Sequence, residues 1–195
     1  MDIYLALVHH PVNNRAGDVV TTAVTNLDIH DLARIARTYG CRGTFVVTPI
    51  GEQLALVKRI VTHWTEGEGR TANPDRAQAF RGTAVVASVA HAIEEITGAL
   101  GTKPLVIGTS AKTDDTRPML AFEFLRARLS DEPGAALILF GTGWGLAAQL
   151  LDSVDFMLPP IEAIPARAGY NHLPVRSAIA IILDRLAGLT GRDRP

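Results

Sequence analysis

The sequence predicts an α/β fold, in which a mostly parallel six-stranded sheet carries helices on both faces. Two kinds of segment alternate in near-strict order along the 195 residues. One kind is short, apolar and rich in β-branched residues, as buried strands are, and the other repeats its apolar residues every three or four positions, as helices do. Such alternation is typical of parallel strands joined by helices. No internal repeat or linker interrupts the pattern, so residues 1–195 are predicted to form one domain.

Composition and charge narrow the class of protein. Hydrophobic residues make up 47% and charged residues 20%, which is ordinary for a globular protein. The formal net charge is −1, so any RNA binding must depend on a local patch or on one assembled across a dimer. Cys41 is the single cysteine, which excludes an internal disulfide and a cysteine metal cluster. Neither a membrane-length apolar run nor a signal-peptide pattern is present, so we expect a cytoplasmic enzyme.

The first strand is predicted over residues 3–9, which contain enough β-forming residues and end at His9, His10 and Pro11. The histidine pair fits a loop or substrate-side role much better than a metal site, because adjacent side chains at a strand end point in different directions. Residues 11–24 form a long connection that contains a short extended stretch at 19–24.

A helix is predicted to start at one of the capping residues 25–28 and to stop at Gly40. Its apolar face consists of Ile29, Leu32, Ala33 and Ala36. On the other face, His30, Arg34 and Arg37 follow one another at i, i+4 and i+7. The pattern alone favours a solvated face with an Asp31–Arg34 pair over a functional face.

The middle of the chain contains an unusually polar stretch. Residues 43–48 predict a strand, residues 53–64 an amphipathic helix and residues 83–87 another strand. Between them, residues 65–80 are rich in Gly, Asn and Pro and predict a long irregular loop, and such loops are usually functional or mobile. Arg70, Arg76 and Arg81 make this loop a candidate for substrate contact, although the pattern fits a merely solvated loop equally well.

The second half of the chain continues the alternation. The predicted elements are a helix over Val89–Leu100, strands over 104–108, 135–140 and 156–158, a charged turn over 112–117, and helices over 118–129 and 145–151. A last helix points Val175, Ala178, Ile179, Ile182 and Leu186 inward. Ile181 falls on the opposite side, which indicates that a second surface, such as another subunit, also buries this helix.

Two turns in this half predict a ligand pocket. The segment from Gly141 to Gly145 follows an apolar strand, and a polar turn ending in Pro174 precedes the last helix. Glycine lets a ligand approach the backbone closely, so the pocket should consist mostly of main-chain groups. A dinucleotide fingerprint needs G-x-G-x-x-G after an early strand, whereas this segment reads G-x-G-x-G after the fifth strand. P-loop and G-x-S-x-G patterns are absent.

These segments also carry a family resemblance. FGTGWGL (140–146) and YNHLPVRSAIAIIL (170–183) resemble the second and third motifs of the SPOUT class of RNA methyltransferases. NLDIHDLARIARTYG (26–40) resembles the first motif of the SpoU branch, an arginine six residues before a glycine. Here that arginine is Arg34 and the glycine is Gly40. The three motifs occur in the family's order and span nearly the whole chain.

The resemblance implies a SPOUT α/β fold with a deep C-terminal trefoil knot, whose loops bind S-adenosylmethionine largely through backbone groups. The residues carried over as cofactor-binding are Thr109, Ser110, Ala111, Phe140, Gly141, Thr142, Gly143, Trp144, Gly145, Leu146, Pro160, Ile161, Asn171 and Leu173. The resemblance further implies a homodimer with the last helix at its interface. Such a dimer places an arginine of one subunit near the cofactor of the other.

The same resemblance implies the chemistry. Arg34, Asn171 and His172 are the expected catalytic residues, and His30, Arg37 and Arg176 the expected RNA contacts, with no metal. For Arg176, an ion pair at the helix N-terminus is an equally good interpretation. The expected activity is methylation of tRNA or rRNA, with the ribose 2′-oxygen favoured. Two alternatives stay open: a non-catalytic knotted dimer that binds cofactor or RNA, and an unrelated α/β nucleotide-binding enzyme.

Overall fold

A parallel sheet of six strands, in the order β5-β4-β1-β7-β6-β8, forms the centre of the molecule. The structure is a computed structural model that describes residues 1–114, 116–162 and 171–189. The strands are β1 (Asp2–Val8), β4 (Gly43–Val47), β5 (Thr83–Val86), β6 (Leu105–Gly108), β7 (Ala135–Gly141) and β8 (Phe156–Met157). The mostly parallel α/β sheet predicted from the sequence is therefore confirmed.

Helices connect these strands, and a small hairpin follows β1. The helices are α1 (Asn26–Thr38), α2 (Gly51–Thr65), α3 (Glu68–Ala72), α4 (Pro74–Phe80), α5 (Val89–Leu100), α6 (Phe122–Asp131), α7 (Ala148–Leu151) and α8 (Val175–Ala187). The hairpin pairs β2 (Val12–Asn13) with β3 (Val19–Val20) in antiparallel register. None of the helices in the described ranges is long and apolar enough to cross a membrane.

The core lies in two layers, one on each face of the sheet. On one face, residues of α1, α2, α4, α6 and α8 pack against alternate positions of the central strands, as Ile29, Leu32, Phe80, Leu125 and Ile179 show. On the other face, Val89, Ala92 and Ile96 of α5 cover the intervening positions. Because β1 and β7 are covered on both sides, their sequences are almost continuously apolar.

Local signals set the limits of the helices. Thr25 caps α1, since its hydroxyl oxygen accepts a hydrogen bond from the Asp28 backbone N–H at 3.2 Å. Ser88 caps α5 in the same way, by accepting from the His91 N–H. Gly101 follows α5 with a φ of 74°, a left-handed conformation that favours glycine.

The prediction of an irregular loop over residues 65–80 is wrong, because these residues form α3 and α4. Asn73 separates the two helices and caps α4, its side-chain oxygen accepting from the Arg76 N–H at 3.0 Å, while Pro74 occupies the first turn. Ala77 and Phe80 are buried against the core. The residues that indicated a loop are therefore the caps of two short helices.

Three other boundaries also differ from the prediction. The helix expected from residue 118 begins only at Phe122, because Pro118 and Leu120 instead hydrogen-bond through their backbones to Met157 at the sheet edge. The helix expected from residue 145 begins at Ala148, since Gly145 belongs to the preceding turn with a φ of 100°. Of the extended stretch 19–24, only Val19–Val20 is a strand.

The C-terminal helix agrees in part with its expected packing. Ile179, Ile182 and Leu186 are buried, as is Leu183, whereas Val175, Ala178 and Ile181 are only half-buried. Residues 163–170, which include the first residue of the motif 170–183, lie outside the described ranges. The trefoil knot and the homodimer stay predictions.

Candidate functional site

The carboxyl ends of β1, β6 and β7 and the start of α8 surround a cavity of about 620 Å³. This is the edge where parallel α/β sheets bind their ligands, and the volume suits a ligand of nucleotide size. The lining residues are His9, Thr22, Ala23, Asp28, Thr109, Ser110, Ala111, Lys112, Phe140, Gly141, Thr142, Gly143, Trp144, Gly145, Ile161, Asn171, His172, Leu173, Pro174, Val175, Ala178 and Ile182.

The glycine turn after β7 is shaped by close backbone contacts. A Cβ atom on Gly141 would lie 2.6 Å from the Leu146 backbone nitrogen. Gly143 has a φ of 59°, and a Cβ there would lie 2.9 Å from the Asn13 carbonyl oxygen. The turn therefore needs glycine at both positions.

The β2–β3 hairpin holds this turn in place. The Trp144 N–H donates to the Asn13 carbonyl oxygen at 2.9 Å, and the Asn13 N–H donates to the Gly145 carbonyl oxygen at 2.9 Å. Val12 and Leu146 also form an isolated antiparallel bridge. The hairpin and the glycine turn thus form one backbone-bonded unit, although more than a hundred residues of sequence separate them.

A polar network lies beneath the turn. Nδ1 of His9 lies 3.0 Å from the Thr22 hydroxyl, which lies 2.5 Å from the Thr142 hydroxyl, and Thr142 donates to the Val8 carbonyl oxygen at 3.0 Å. His9 is 1% exposed, and its Nε2 has no hydrogen-bond partner among the described residues. Burial lowers the pKa of His9, whereas the Asp28 carboxylate and the Ala23 backbone raise it by a smaller amount. The net shift is downward from 6.5, so the ring is neutral at pH 7.

Among the described residues of the cavity wall, one side chain is cationic and one is anionic. Lys112 follows the loop after β6, and Asp28 lies in the first turn of α1. Asn171 connects two walls, because its side-chain nitrogen donates to the Ala111 carbonyl oxygen at 3.1 Å. Thr109 is fixed by its hydroxyl, which donates to the Leu139 carbonyl oxygen at 2.8 Å. The wall can therefore meet both charges of a zwitterionic ligand and the hydroxyls of a ribose.

The structure brings most of the predicted site residues together. Every predicted cofactor residue except Leu146 and Pro160 lines the cavity, and so does His172. Leu146 is buried beneath the turn. These residues come from four separate stretches of sequence.

Arg34 does not reach the cavity of its own chain. It lies six residues after Asp28 on α1, about 9 Å further along the helix axis. Its side chain is 62% exposed and lies 3.9 Å from Asp31. Arg37 is exposed one turn later. An active role for Arg34 therefore requires a second chain that presents its own cavity to it.

His30 packs into an aromatic cluster on the far side of α1. Its ring centroid lies 5.5 Å from that of Trp64 and 4.9 Å from that of Phe80, both with edge-on geometry. Nδ1 of His30 is buried without a hydrogen-bond partner among the described residues. Burial and the nearby Arg76 guanidinium lower its pKa. The structure places His30 in this packing cluster and not among the cavity residues.

Arg176 joins α8 to α1 by ion pairs. Its Nε lies 3.5 Å from the Asp28 carboxylate, and one terminal nitrogen donates to the Asp31 carboxylate at 3.2 Å. This geometry matches the ion-pair interpretation of the sequence. The pair also fixes Asp28 at the cavity wall.

Sequence reasoning missed several cavity residues. Thr22 and Lys112 lie outside the three motifs, Asp28 and Val175 lie within motifs but were not assigned to the pocket, and His9 was assigned only a loop or substrate-side role. The signal that could have found them is topological: residues that directly follow parallel strands meet at one sheet edge. His9 and the loop before Lys112 both satisfy that rule.

The fold and site define a parallel α/β protein with a backbone-lined ligand cavity, and comparison with known proteins identifies the family. A family model described as "SAM-dependent RNA methyltransferase" matches residues 2–188. The chain belongs to this family.

Two relatives show how the family's sequences are arranged. A protein of Oleidesulfovibrio alaskensis named tRNA (guanine-N(1)-)-methyltransferase is 44% identical over 188 residues, covering 96% of this chain and 42% of that protein. An uncharacterized protein of Aquifex aeolicus is 35% identical over 185 residues, covering 95% of this chain and 88% of its own length. The chain thus spans about two fifths of the length of the first relative.

Solved structures confirm the fold. The SpoU methyltransferase AviRb from Streptomyces viridochromogenes, solved in complex with the cofactor AdoMet, matches with a TM-score of 0.57 at 16% identity, covering 95% of this chain and 57% of that chain. The TrmH/SpoU tRNA modifying enzyme of A. aeolicus matches with a TM-score of 0.55 at 13% identity, covering 99% and 75%. At these identities the likeness concerns the fold alone.

Proposed function

We propose that this chain binds S-adenosylmethionine in the cavity and methylates tRNA or rRNA, with the ribose 2′-oxygen as the favoured acceptor, as a cytoplasmic homodimer. The proposal rests on one observation: residues that the motifs assign to the cofactor lie in separate stretches of sequence but line a single cavity. Thr109–Ala111, Gly141–Gly145, Ile161 and Asn171–Leu173 were assigned to one cofactor site by motif resemblance, and all of them line the same cavity.

The residues present fit this cofactor. Lys112 suits its carboxylate, Asp28 its ammonium group, and Ser110 or Thr142 its ribose hydroxyls. Apolar side chains such as Phe140, Ile161 and Val175 supply the rest of the wall. When bound, the cofactor supplies a methyl group on a positively charged sulfur, which is already a strong electrophile. The protein therefore mainly has to bind, orient and exclude water.

The catalytic assignments follow from the positions of the side chains. Asn171 and His172 at the cavity mouth would hold the substrate or the polar end of the cofactor. Arg34 would act on the cavity of the second subunit, where a guanidinium clamps phosphate and stabilises the hydroxyl oxygen as it loses its proton. Arg37, one turn away on the same exposed face, would bind a neighbouring phosphate. His30 supports α1 through its packing against Trp64 and Phe80.

Two observations support the choice of RNA substrate, one for RNA in general and one for tRNA. Family membership supports an RNA substrate, and the name of the O. alaskensis relative supports tRNA. That relative's guanine-N1 activity is the property of a protein of which more than half lies outside the match, so it does not specify the methylated atom here. The ribose 2′-oxygen is proposed from the SpoU resemblance of the three motifs.

Calorimetric titration with S-adenosylmethionine tests the proposal directly. Wild-type protein should bind saturably, and Gly143→Val should not, because a side chain there conflicts with the Asn13 carbonyl at 2.9 Å and with a φ of 59°. Gly98→Val is the matched control, since a side chain at Gly98 meets nothing within 4 Å. Transfer of labelled methyl to RNA from a strain lacking the gene then identifies the acceptor.

A non-catalytic module is the second candidate, and it is favoured by the distance of Arg34 from the cavity of its own chain. It predicts binding of cofactor or RNA without methyl transfer to any cellular RNA. It also predicts that Arg34→Ala leaves this binding intact. Absence of cofactor binding at millimolar concentration would refute the enzyme and leave a module that binds RNA alone as the leading candidate.

A further inference from the structure

Trp144 has an exposed side chain although its backbone belongs to the cavity wall. The residue is 50% exposed. An exposed indole beside a ligand cavity offers an aromatic face to a binding partner.

Two side chains that can carry positive charge approach the indole. The His172 ring meets it edge-on, with ring centroids 5.6 Å apart at an interplanar angle of 70°. The Arg15 guanidinium lies over the indole ring, its central carbon 6.0 Å from the ring centroid. Arg15 stands on the tip of the β2–β3 hairpin, which is bonded to the Trp144 turn through Asn13.

We propose that Trp144 and Arg15 form a stacking platform for a nucleobase of the RNA substrate, at the mouth of the cavity. A base stacks on the exposed part of the indole, and the Arg15 guanidinium binds the adjacent phosphate. The inference rests on the proposed function, because it names the groups through which that same site recognises RNA. It also accounts for RNA binding by a chain whose net charge is −1.

The position of the indole favours RNA over two other occupants. The adenine of the cofactor is a similar ring, but Trp144 is half exposed to solvent, whereas Phe140 of the same cavity wall is buried. A second copy of the chain would also cover an exposed ring. The approach of a guanidinium and an imidazole to the ring, however, suits a polyanion with π-faces better than a neutral apolar surface.

Binding of unfractionated bacterial tRNA, measured with S-adenosylhomocysteine present, tests the platform. Trp144→Ala should weaken tRNA binding about tenfold to hundredfold, the range for loss of one stacked base, and Trp144→Phe should keep most of the affinity. Phe124→Ala, which removes an aromatic ring that is 68% exposed on α6, is the matched control and should have no effect. Cofactor affinity is titrated for each variant as well, so that loss of the platform is distinguished from damage to the cofactor site.

The salt dependence of tRNA binding measures the contribution of Arg15 separately from that of Trp144. Arg15→Gln should reduce the slope of log affinity against log salt by about one contact, that is by 0.7–0.9. Arg59→Gln, an exposed arginine on α2, should leave the slope unchanged.

Fluorescence gives an independent readout, because the chain contains two tryptophans. In the Trp64→Phe variant, Trp144 is the single emitter. Its emission should be quenched further by tRNA after the protein has been saturated with S-adenosylmethionine. This variant changes no residue of the cavity or of the platform.

Several outcomes would overturn the inference. Unchanged tRNA affinity in Trp144→Ala, or an equal loss in Phe124→Ala, removes the platform. Loss of cofactor affinity together with quenching by cofactor alone assigns the indole to the cofactor. Dissociation of a dimer by Trp144→Ala in sedimentation assigns it to an interface between copies. Failure of the proposed function differs from all of these, because the wild-type protein would then not bind S-adenosylmethionine.

Discussion

Arg176 provides the sharpest test of how the site is held together, because its two interpretations predict different measurements. The structure pairs it with Asp28 and Asp31, so that one guanidinium joins α8 to α1. Arg176→Met keeps the aliphatic stem and removes the charge. The Asp28 side chain, which is only 15% exposed, then loses its cation while it keeps the hydroxyl hydrogen bond from Thr25.

The expected loss of stability follows from the burial of these groups. Leaving a buried polar group without its partner costs about 1–3 kcal/mol. The arginine is 30% and Asp31 36% exposed, so solvent screening reduces the loss to about 1–2 kcal/mol. For a chain of this size, each kcal/mol corresponds to a fall in melting temperature of about 2–4 °C. Urea unfolding at several protein concentrations measures the change and separates it from any effect on association.

Arg42→Met is the matched control. Arg42 also pairs with one carboxylate, Asp2, but at 4.0 Å and with both side chains well exposed, so the loss should stay below about 0.5 kcal/mol. If Arg176→Met is no more destabilising than Arg42→Met and instead weakens tRNA binding, the ion-pair account of Arg176 is refuted. The arginine would then be the phosphate contact that the motif resemblance implies.

Three further predictions concern groups away from the ion pair. Burial holds the pKa of both His9 and His30 below the usual 6.5, so below pH 6.5 the unfolded chain binds more protons than the folded one. Stability, measured as the urea midpoint, should therefore be full above pH 6.5 and fall as the pH approaches the lowered values, and His9→Gln should flatten that fall. Gly69→Val should destabilise by about 1–3 kcal/mol, because its Cβ would lie 2.7 Å from Trp64; an unchanged urea midpoint would contradict the packing of α3. Burial raises the pKa of Cys41 to about 12, so a thiol reagent at pH 8 should modify it slowly in the folded protein and rapidly in urea, and equal rates would show the thiol to be accessible.

The sheet could be predicted from the sequence because its signals are local. The strands β1 and β7 are continuous apolar runs, and Thr25 and Gly40 mark the limits of α1 within a few residues of sequence. Residues 65–80 were wrongly predicted as a loop for a related reason. The residue types that cap helices are also the types that are common in loops, so composition alone does not distinguish the two structures. Only packing against Trp64 and Phe80 distinguishes the two.

The site was predictable to the extent that its motifs are contiguous. The glycine turn and the Asn171–Leu173 turn were assigned to one pocket, and the cavity contains both. His9, Asp28 and Lys112 were not assigned, because their meeting depends on the order of strands in the sheet. The pairing of the hairpin with the glycine turn could not be predicted either. Val12 and Asn13 form a strand of only two residues, which is too short to give a sequence pattern and is defined by its pairing with Val19 and Val20.

The hydrogen bonds between the β2–β3 hairpin and the glycine turn connect the two binding surfaces proposed above, the cofactor cavity and the RNA platform. Asn13 exchanges hydrogen bonds with the turn, and Arg15 stands two residues further along the same hairpin. If RNA bound at the tip favours one position of the turn, the cofactor must favour RNA by the same factor, because coupling free energy is reciprocal. The affinities of the two proposed ligands would then be coupled through this hairpin.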